Sequence, residues 1–530
     1  MMQHWPVALG LLGLVVLVYA PVWGADLVWD DGLFIFANPV IQSPGGLRDI
    51  WFSTQLADYY PVTSTLLWLE WQLWGADPGR YHAVNVLLHA FSALVAWRVL
   101  CKLAVPCAFV AAAVFAVHPV AVESVAWISE TKTTLSFLLS GLALCAYLRC
   151  DDRGARGWYV AALVLFGLAL LAKTSVVMLP AVLLLLVWGR RGRIGGSDLL
   201  RSLPFFALSL ALGLLTVHLQ DLHSIAHLEV RPEGLASRLA AAGWAFFFYL
   251  GKLLAPFGLS AVYPRWDVAP GWPPAWIPLL GALFLAALAW RWRSSWGRPV
   301  LLAGGVYALV LLPILGIVPF GFHRYSLVAD HLQYPAMIAP IALVVAAATR
   351  VLAARRLPGW QQTLMVLALV VPLTVLARER VDVFRDHGSL WTDTLEKNPS
   401  AWVAHYNLGV VLDQAGNPQA AAAYYQRTLE LHPQHADSHF ALGRAYKLEG
   451  RLDDAVQHYR WALEIDPRLA SAHNNLASVL RTQGHLDEAI FHYRLAMKHA
   501  PGFEVASANL QRALEERSAR ERPAPGATAP

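Results

Sequence analysis

Twelve apolar stretches divide the first 380 residues, and each is long enough to cross, or nearly cross, about 30 Å of hydrocarbon. They lie at residues 5–23, 82–100, 104–121, 133–148, 158–171, 174–189, 203–219, 239–256, 274–290, 299–320, 335–349 and 360–377. Because a helix satisfies its own backbone hydrogen bonds in lipid, this succession predicts a polytopic bundle of membrane helices. The composition agrees, with 57% hydrophobic residues, 15% charged residues and a mean hydropathy of +0.45.

The basic residues of these first 380 positions sit in short loops between the apolar stretches, where they indicate membrane orientation rather than nucleic-acid binding. The formal net charge is only +5. Positive clusters mark the cytoplasmic side at Arg98 and Lys102; Arg149, Arg153 and Arg156; Arg190, Arg191 and Arg193; Arg291, Arg293 and Arg298; Arg350, Arg355 and Arg356.

The charge pattern then predicts a topology with eleven spans. Residues 158–189 have basic clusters at both ends, so they form a hairpin that places Lys173 on the outer side. The stretch 239–256 is predicted not to cross fully, because a full crossing would place Arg291–Arg298 outside. The first stretch is predicted to be a retained helix rather than a cleaved leader. The amino terminus is then cytoplasmic, and everything after residue 377 is outside.

The first outer loop, residues 24–81, is long for a connector and rich in aromatic residues. Tryptophans and tyrosines beside turn residues such as Asn38-Pro39 predict an amphipathic helix lying along the membrane interface. A long ordered loop over a membrane domain commonly covers a functional site.

After residue 380 the sequence becomes polar and repeats with a period of 34 residues. Five positions recur in register: Leu408-Gly409, Leu442-Gly443 and Leu476-Ala477; Gly416, Gly450 and Gly484; Ala421, Ala455 and Ala489; Tyr425, Tyr459 and Tyr493; Pro433, Pro467 and Pro501. This is the tetratricopeptide signature of stacked helix pairs.

The predicted domains are therefore a membrane bundle over 1–380 and a repeat solenoid over 381–517. Full repeats are placed at 402–435, 436–469 and 470–503, and a disordered tail at 518–530. The fold class is all-α.

Two adjacent carboxylates, Asp30 and Asp31, follow the first apolar stretch and are the leading acid/base candidates. The alternative is an acidic loop after an anchoring helix. His118 and Glu123 come next, on the outer turn between the third and fourth stretches, with an interfacial His–Glu pair as the alternative.

Cations on the outer side suit a phosphate group. Lys173 lies between two apolar runs, where simple snorkelling is the alternative. Arg324 precedes Asp330, and an ion pair between them competes with phosphate binding. His218, His223 and His227 lack a supporting cysteine, so no metal site is assigned to them.

Asn407 and Asn475 occupy one position on the first helix of two repeats. They are candidates to hydrogen-bond an extended partner peptide, and surface solvation is the alternative. His405, His439 and His473 share another repeat position, which indicates packing.

An ordered set of motifs resembles the bacterial relatives of the transmembrane and tetratricopeptide-repeat (TMTC) proteins, which are similar to protein O-mannosyltransferases and to GT-C glycosyltransferases. The motifs are Trp29-Asp30-Asp31, Asn38-Pro39, Tyr59-Tyr60-Pro61-Val62-Thr63, Tyr81-His82-Ala83-Val84-Asn85, Leu88-His89, His118-Pro119 through Trp127-Ile128, Ala172-Lys173-Thr174 and Val328-Ala329-Asp330-His331-Leu332-Gln333-Tyr334.

The resemblance implies a multi-pass enzyme of the bacterial inner membrane that moves a mannose-like sugar from a polyprenyl-phosphate donor to Ser or Thr hydroxyls of proteins. It places the repeats on the periplasmic side, where they would bind the acceptor. It implies a base at Asp30 or Asp31, with Asp30 preferred, and substrate contacts at Lys173, Arg324, His118, Glu123, Asp330 and Tyr60. A divalent metal is left open, but Gly32 stands where many relatives carry a third acid.

Two rival functions remain at this stage. A non-catalytic membrane scaffold would use the repeats to assemble partners, although anchoring needs only one helix. A transporter of lipid-linked sugars would place ionisable residues near the middle of spans, whereas here they cluster at the ends.

Overall fold

The computed structural model describes residues 5–53, 59–223 and 230–521. The structure is 79% helical, and no strand occurs in these ranges. The chain divides into two compact units, Met1–Asp393 and Thr394–Pro530. The all-α class is confirmed. The first unit includes residues 381–393, which the sequence analysis assigned to the repeat domain.

The first unit is built from long apolar helices joined by short helical turns. Its α-helices are Trp5–Tyr19, Pro39–Gln42, Gly46–Phe52, Pro61–Trp74, Pro78–Lys102, Ala108–Ala116, Val122–Ala126, Thr131–Arg153, Arg156–Ala172, Leu179–Arg191, Gly196–His223, Leu235–Leu254, Ile277–Arg291, Gly297–Leu311, Asp330–Gln333, Ile338–Ala354 and Gly359–Val383; His387–Lys397 carries the boundary between the units.

The protein is a multi-pass membrane protein. Among the described residues, seven helices are long and apolar enough to cross a membrane: Trp5–Gly24, Pro78–Lys102, Ile128–Arg153, Thr174–Arg191, Gly196–Leu222, Pro273–Arg291 and Gly297–Ile314. On one of them Ile277, Leu280 and Phe284 are 65%, 59% and 66% exposed, as lipid-facing residues should be.

The predicted count of eleven spans is higher than the structure supports. Two predicted spans are bent pairs, Ala108–Ala116 with Pro119–Ala126 at 51° and Asp330–Ala336 with Ile338–Ala354 at 58°, which raise the count to nine at most. A third, Arg156–Ala172, has 17 residues and is therefore only about 25 Å long. Leu235–Leu254, predicted not to cross, is also not among the candidate spans.

The first loop contains a helix, Pro61–Trp74, which packs Leu67 inward and leaves Leu69 and Leu73 exposed; its place along the membrane interface stays a prediction. The Thr63 hydroxyl donates to the carbonyl of Ala172 at 2.8 Å. This bond ties the loop helix to the turn that carries Lys173.

The second unit consists of helix pairs. Its α-helices are Trp402–Gln414, Pro418–Leu431, Ala436–Leu448, Leu452–Ile465, Ala470–Thr482, Leu486–His499 and Glu504–Glu521. A Cβ on Gly409 would lie 2.6 Å from the buried ring of Tyr425, and one on Gly443 equally close to Tyr459, so the small residues are required where paired helices touch. The last helix includes residues 518–521, which were predicted to be disordered; residues 522–530 lie outside the described ranges.

Candidate active site

The Val28–Gly32 turn is held in an unusual backbone conformation. Trp29 has φ +54°, a left-handed value that a bulky side chain adopts only when the surroundings enforce it. The Asp31 carboxylate closes the turn by accepting from the Val28 amide at 3.0 Å. Its other oxygen accepts from the amide and the hydroxyl of Ser129, both at 2.7 Å. Asp31 therefore staples the first loop to the turn before the Thr131–Arg153 helix.

The two adjacent carboxylates differ in exposure. Asp31 is fully buried, whereas Asp30 is partly exposed. Burial raises the pKa of Asp31 to about 7, helped by the negative charge of Asp30. Burial also raises the pKa of Asp30, and the Lys132 ammonium opposes that rise. Of the pair, Asp30 is the carboxylate that a substrate can reach.

Aromatic rings fix the position of Asp30. The Trp127 indole Nε1 donates to Asp30 Oδ1 at 3.1 Å. The Trp29 ring stacks on the Trp127 ring and also contacts Tyr325, Phe322 and Trp391. Asp30 thus projects from a rigid aromatic wall, as a general base must if it is to meet a substrate hydroxyl.

A second charged group follows directly in sequence. The buried Glu130 accepts from the Lys173 ammonium at 2.9 Å, and Lys132 lies 3.4 Å from its other oxygen. Lys173 also donates to the Thr133 hydroxyl at 2.6 Å. Two ammonium groups therefore flank the Glu130 carboxylate, and Lys132 also acts on the charge of Asp30. The snorkelling alternative for Lys173 is therefore wrong, since a buried carboxylate binds its head group.

His118 and Glu123 do not pair with each other. His118 Nε2 contacts the Leu253 carbonyl at 2.9 Å, and its Nδ1 accepts from the Val120 amide. Glu123 contacts His331 Nδ1 at 2.9 Å, and its other oxygen accepts from the His331 amide. Both side chains are buried and engaged with protein groups, so they brace the 118–131 turn.

Arg324 and Asp330 do not form the ion pair considered from the sequence. Asp330 is buried and accepts from the Tyr263 hydroxyl at 2.9 Å. Arg324 is exposed, with its guanidinium 4.5 Å from the centre of the Tyr325 ring, and no carboxylate in the described ranges makes an ion pair with it. Since Tyr325 contacts Trp29, Arg324 lies on the rim of the aromatic wall.

Tyr60 lines a small cavity of about 50 Å³ together with Ser64, Ser129 and Lys132. The cavity lies between the loop helix and the turn that Asp31 staples. Tyr60 is thereby near the Lys132 end of the charged group.

A much larger apolar cavity, of about 720 Å³, opens between the long helices. Its lining includes Val99, Leu186, Val306 and Leu343. One end is lined by Arg298 and Arg350, which belong to predicted cytoplasmic clusters. The other end of the cavity is lined by Ser175, which lies two residues after Lys173, and by Phe137, which lies one helical turn after Thr133. The cavity therefore runs toward the Lys173–Glu130 pair.

The remaining candidates lie elsewhere. In the repeats, Asn407 donates to the Val403 carbonyl of its own helix, and Asn475 accepts from Asn474. Both are partly exposed. His227 and the side chain of His223 lie outside the described residues.

Glu130 was not predicted as a site residue, and Trp127 and Lys132 were noted only as residues that follow Glu123 in the sequence. A signal was present, because Trp127, Glu130 and Lys132 follow the 118–126 turn at close spacing. The sequence alone could not show their role, because Trp127 contacts Asp30, which is 97 residues away, and Glu130 contacts Lys173, which is 43 residues away.

The fold and site define a multi-pass helical membrane protein with a carboxylate site in its first loop and a repeat unit later in the chain. A family model described as tetratricopeptide repeat matches residues 389–436, 406–470 and 440–502.

Curated relatives share the name protein O-mannosyl-transferase. One from Caenorhabditis elegans is 31% identical over 26% of this chain and 22% of its own length. TMTC1 of Mus musculus is 35% identical over 28% of this chain and 17% of its own, and TMTC4 of Homo sapiens is 27% identical over 50% and 37%. The chain thus spans between a sixth and two fifths of these relatives. Over these shares the chain is similar to the TMTC proteins, and its repeats match the tetratricopeptide model.

A crystal structure of MamA protein aligns at 22% identity over 27% of this chain and 78% of that chain. Its TM-score of 0.24 is too low to support an argument.

Proposed function

We propose that the protein is a glycosyltransferase that moves a sugar from a polyprenyl-phosphate carrier to Ser or Thr hydroxyls of proteins at the outer membrane face. The names of the relatives support sugar transfer to proteins. The observation that carries the proposal is the juxtaposition of a partly exposed carboxylate, Asp30, with the ammonium groups of Lys132 and Lys173.

The chemistry needs both parts. Asp30 takes the proton of the acceptor hydroxyl while that oxygen bonds to the anomeric carbon of the sugar. The bond from this carbon to the phosphate oxygen breaks, and the phosphate leaves with the electron pair. Attack opposite the leaving group inverts the anomeric centre. The raised pKa of Asp30 brings its basicity closer to neutral pH.

Lys132 and Lys173 would hold the departing phosphate. Because they are fixed by Glu130 before the reaction, they need no reorganisation as negative charge develops. Arg324 on the rim offers a further guanidinium. The apolar cavity that runs from Ser175 and Phe137 would take the isoprenoid chain of the donor.

A divalent metal fits these residues poorly. No group of three His, Cys, Asp or Glu side chains suited to a metal occurs in the described ranges. Both oxygens of Asp31 already accept hydrogen bonds, and Glu130 is bound by lysines. No step of the proposed reaction is therefore assigned to a metal.

The repeats would bring the acceptor protein to the membrane unit, since tetratricopeptide repeats generally mediate protein interactions. Asn407 and Asn475 are the proposed peptide contacts. This role requires the repeats to share the outer side with Asp30. A reporter enzyme fused after residue 380 tests this, because only an outer location makes a periplasmic reporter active.

The decisive experiment compares glycopeptides from outer-compartment proteins of a deletion strain complemented with wild type, Asp30→Asn or Asp26→Asn. Asp26 is an exposed carboxylate in the same loop and serves as the matched control. We expect O-linked glycopeptides with wild type and Asp26→Asn only. Equal glycopeptide yields from the Asp30→Asn strain would refute the proposal.

A further inference from the structure

Outside the proposed active site, three arginines gather around one glutamate. Arg231 donates to Glu233 at 3.0 Å, and Arg265 lies 3.9 Å from the other oxygen of the same carboxylate. Arg238 donates to the Glu233 and Arg231 carbonyls. Among the described residues, three guanidinium charges meet one carboxylate, which leaves two positive charges.

A buried histidine faces this cluster. His323 is fully buried, and burial together with the three arginines lowers its pKa to about 3, so the ring is neutral. The Phe320 amide donates to His323 Nδ1 at 3.2 Å. Because an amide N–H only donates, Nδ1 carries no proton and Nε2 must carry it.

The Nε2–H group is a buried donor with no acceptor among the described residues. Such a group costs about 1–3 kcal/mol if it stays unpaired. Gly316 packs directly against this group: a Cβ on Gly316 would lie 3.2 Å from His323 Nε2 and 2.4 Å from Arg231 Nη1, so only glycine allows the backbone to come this close. Gly316 also has φ +79°, a conformation that other residues rarely adopt.

A purely structural role explains only part of this arrangement. The arginines tie the 230–238 loop to Gly316 and Glu233, and that role accounts for Arg231 and Arg238. It does not account for the uncompensated charge, the partly exposed Arg265 or the unpaired His323 donor. An oxygen-rich anion would balance the charge, bind the Arg265 guanidinium and accept the hydrogen bond from His323.

We propose that Arg231, Arg265 and His323 form a binding site for a phosphoryl group, carried either by a lipid headgroup or by free phosphate. A phosphate dianion matches the excess charge, and its oxygens match the guanidinium forks. The site lies on the 321–324 turn, whose Phe322 contacts the Trp29 ring of the aromatic wall. It is separate from Lys132 and Lys173, and it does not depend on the proposed transferase activity.

Calorimetric titration of the full chain in phospholipid-free detergent tests the site, with inorganic phosphate in one arm and short-chain phosphatidic acid in the other. Binding in the first arm identifies free phosphate as sufficient, and binding only in the second identifies a lipid headgroup. Arg265→Gln and His323→Phe should each weaken binding about tenfold, the effect of losing one charge-assisted or buried hydrogen bond. His323→Gln keeps a hydrogen-bond donor at this position and should therefore retain most of the binding that His323→Phe loses.

Two controls separate this site from others. Arg80→Gln removes an exposed arginine paired with Asp77 and should not change binding. Lys132→Gln should impair sugar transfer but leave unchanged the part of the binding that Arg265→Gln removes, so failure of the two proposals can be told apart. Arg265 is partly exposed, so its variant should fold even if His323→Phe does not. The proposal is overturned if neither probe binds, or if wild type and Arg265→Gln bind equally.

Discussion

The Trp29 indole stacks on the Trp127 indole, with ring centroids 4.9 Å apart and planes 11° from parallel. The two residues come from the first loop and from the turn before the Thr131–Arg153 helix. Stacking offsets the backbone strain of Trp29 and brings the Trp127 N–H to Asp30. The position of Asp30 therefore depends on a contact between two residues that lie far apart in the sequence.

Trp127→Phe should keep the stack but remove the hydrogen bond to Asp30. Since that bond stabilises the charged carboxylate, its loss should raise the pKa of Asp30 further above its ordinary value. The acidic limb of the kcat/KM profile for sugar transfer should therefore move to higher pH. Trp391→Phe is the matched control, because the Trp391 N–H is buried without a partner among the described residues and its ring also packs on Trp29. An unshifted profile in Trp127→Phe would show that Asp30 is not the base.

Asp30→Asn and Asp31→Asn should separate catalysis from stability. Removal of a general base lowers kcat by about 10²–10⁴-fold, and Asp30→Asn should do so with little change in Tm. Asp31→Asn should destabilise the fold by about 1–3 kcal/mol, because an amide N–H₂ would face a backbone or hydroxyl donor. Thermal unfolding and transfer assays of both variants check this. If Asp30→Asn lowered Tm and Asp31→Asn lowered kcat instead, Asp31 would be the base and Asp30 the structural residue.

Periodicity and hydropathy were enough to predict the helical class, the repeats and most long apolar helices, because these features are local. Whether an apolar stretch is one straight span is not a local feature, and seven of the eleven predicted spans are straight candidates among the described residues. The bend between Ala116 and Pro119 and the bend between Ala336 and Ile338 come from packing, and an apolar run looks the same in sequence whether the helix is straight or broken.

A site residue could be predicted from the sequence only where a single local motif contained it. Asp30 was found because two adjacent acids at a membrane edge are unusual. His118 and Glu123 were chosen by residue type, yet their polar atoms go to Leu253 and His331, which only the folded chain brings near. A sequence shows which side chains could react but not which are already paired.

Lys173→Met should weaken donor binding and also destabilise the protein, since Glu130 loses its closest cation. The double variant Glu130→Gln with Lys173→Met removes the uncompensated carboxylate and should recover Tm. It should not recover the KM for the polyprenyl-phosphate donor, which we expect to rise about tenfold from the loss of a phosphate contact. Recovery of both quantities would reduce Lys173 to a structural partner of Glu130.

Glu70 should make stability fall as pH rises. It is 2% exposed in the loop helix, and neither carboxylate oxygen has a partner within the described chain. Burial raises its pKa to about 8. A carboxyl group with a raised folded-state pKa favours folding fully below its ordinary value of 4.5, and this contribution is lost as pH rises toward 8.

Glu70→Gln should therefore match wild type at pH 5 and exceed its stability by about 2–4 kcal/mol at pH 9. Chemical denaturation in detergent measures the difference. Glu379→Gln, which alters an exposed carboxylate, should show no such divergence. Parallel pH curves for wild type and Glu70→Gln would mean that Glu70 has a partner in the folded protein.

Two histidine pairs should make the repeat unit sensitive to acid. The Nδ1 atoms of His439 and His458 are 3.2 Å apart, and those of His473 and His492 are 3.0 Å apart. Burial, followed by the charge of the other ring, lowers the pKa of His458 and of His492 to about 4. Each pair is therefore stable only while at least one ring is neutral and accepts the proton of the other.

A histidine with a lowered folded-state pKa stabilises the fold above its ordinary value of 6.5, and this contribution is lost as pH falls toward 4. Amide exchange in helices Leu452–Ile465 and Leu486–His499 of the full chain, corrected for intrinsic rates, should accelerate roughly threefold to tenfold between pH 7 and pH 5. The double variant His458→Asn with His492→Asn should flatten this response. The first repeat is an internal control, because Tyr424 stands opposite His405 where the others have a second histidine. Equal acceleration in helix Pro418–Leu431 would contradict the assignment to the histidine pairs.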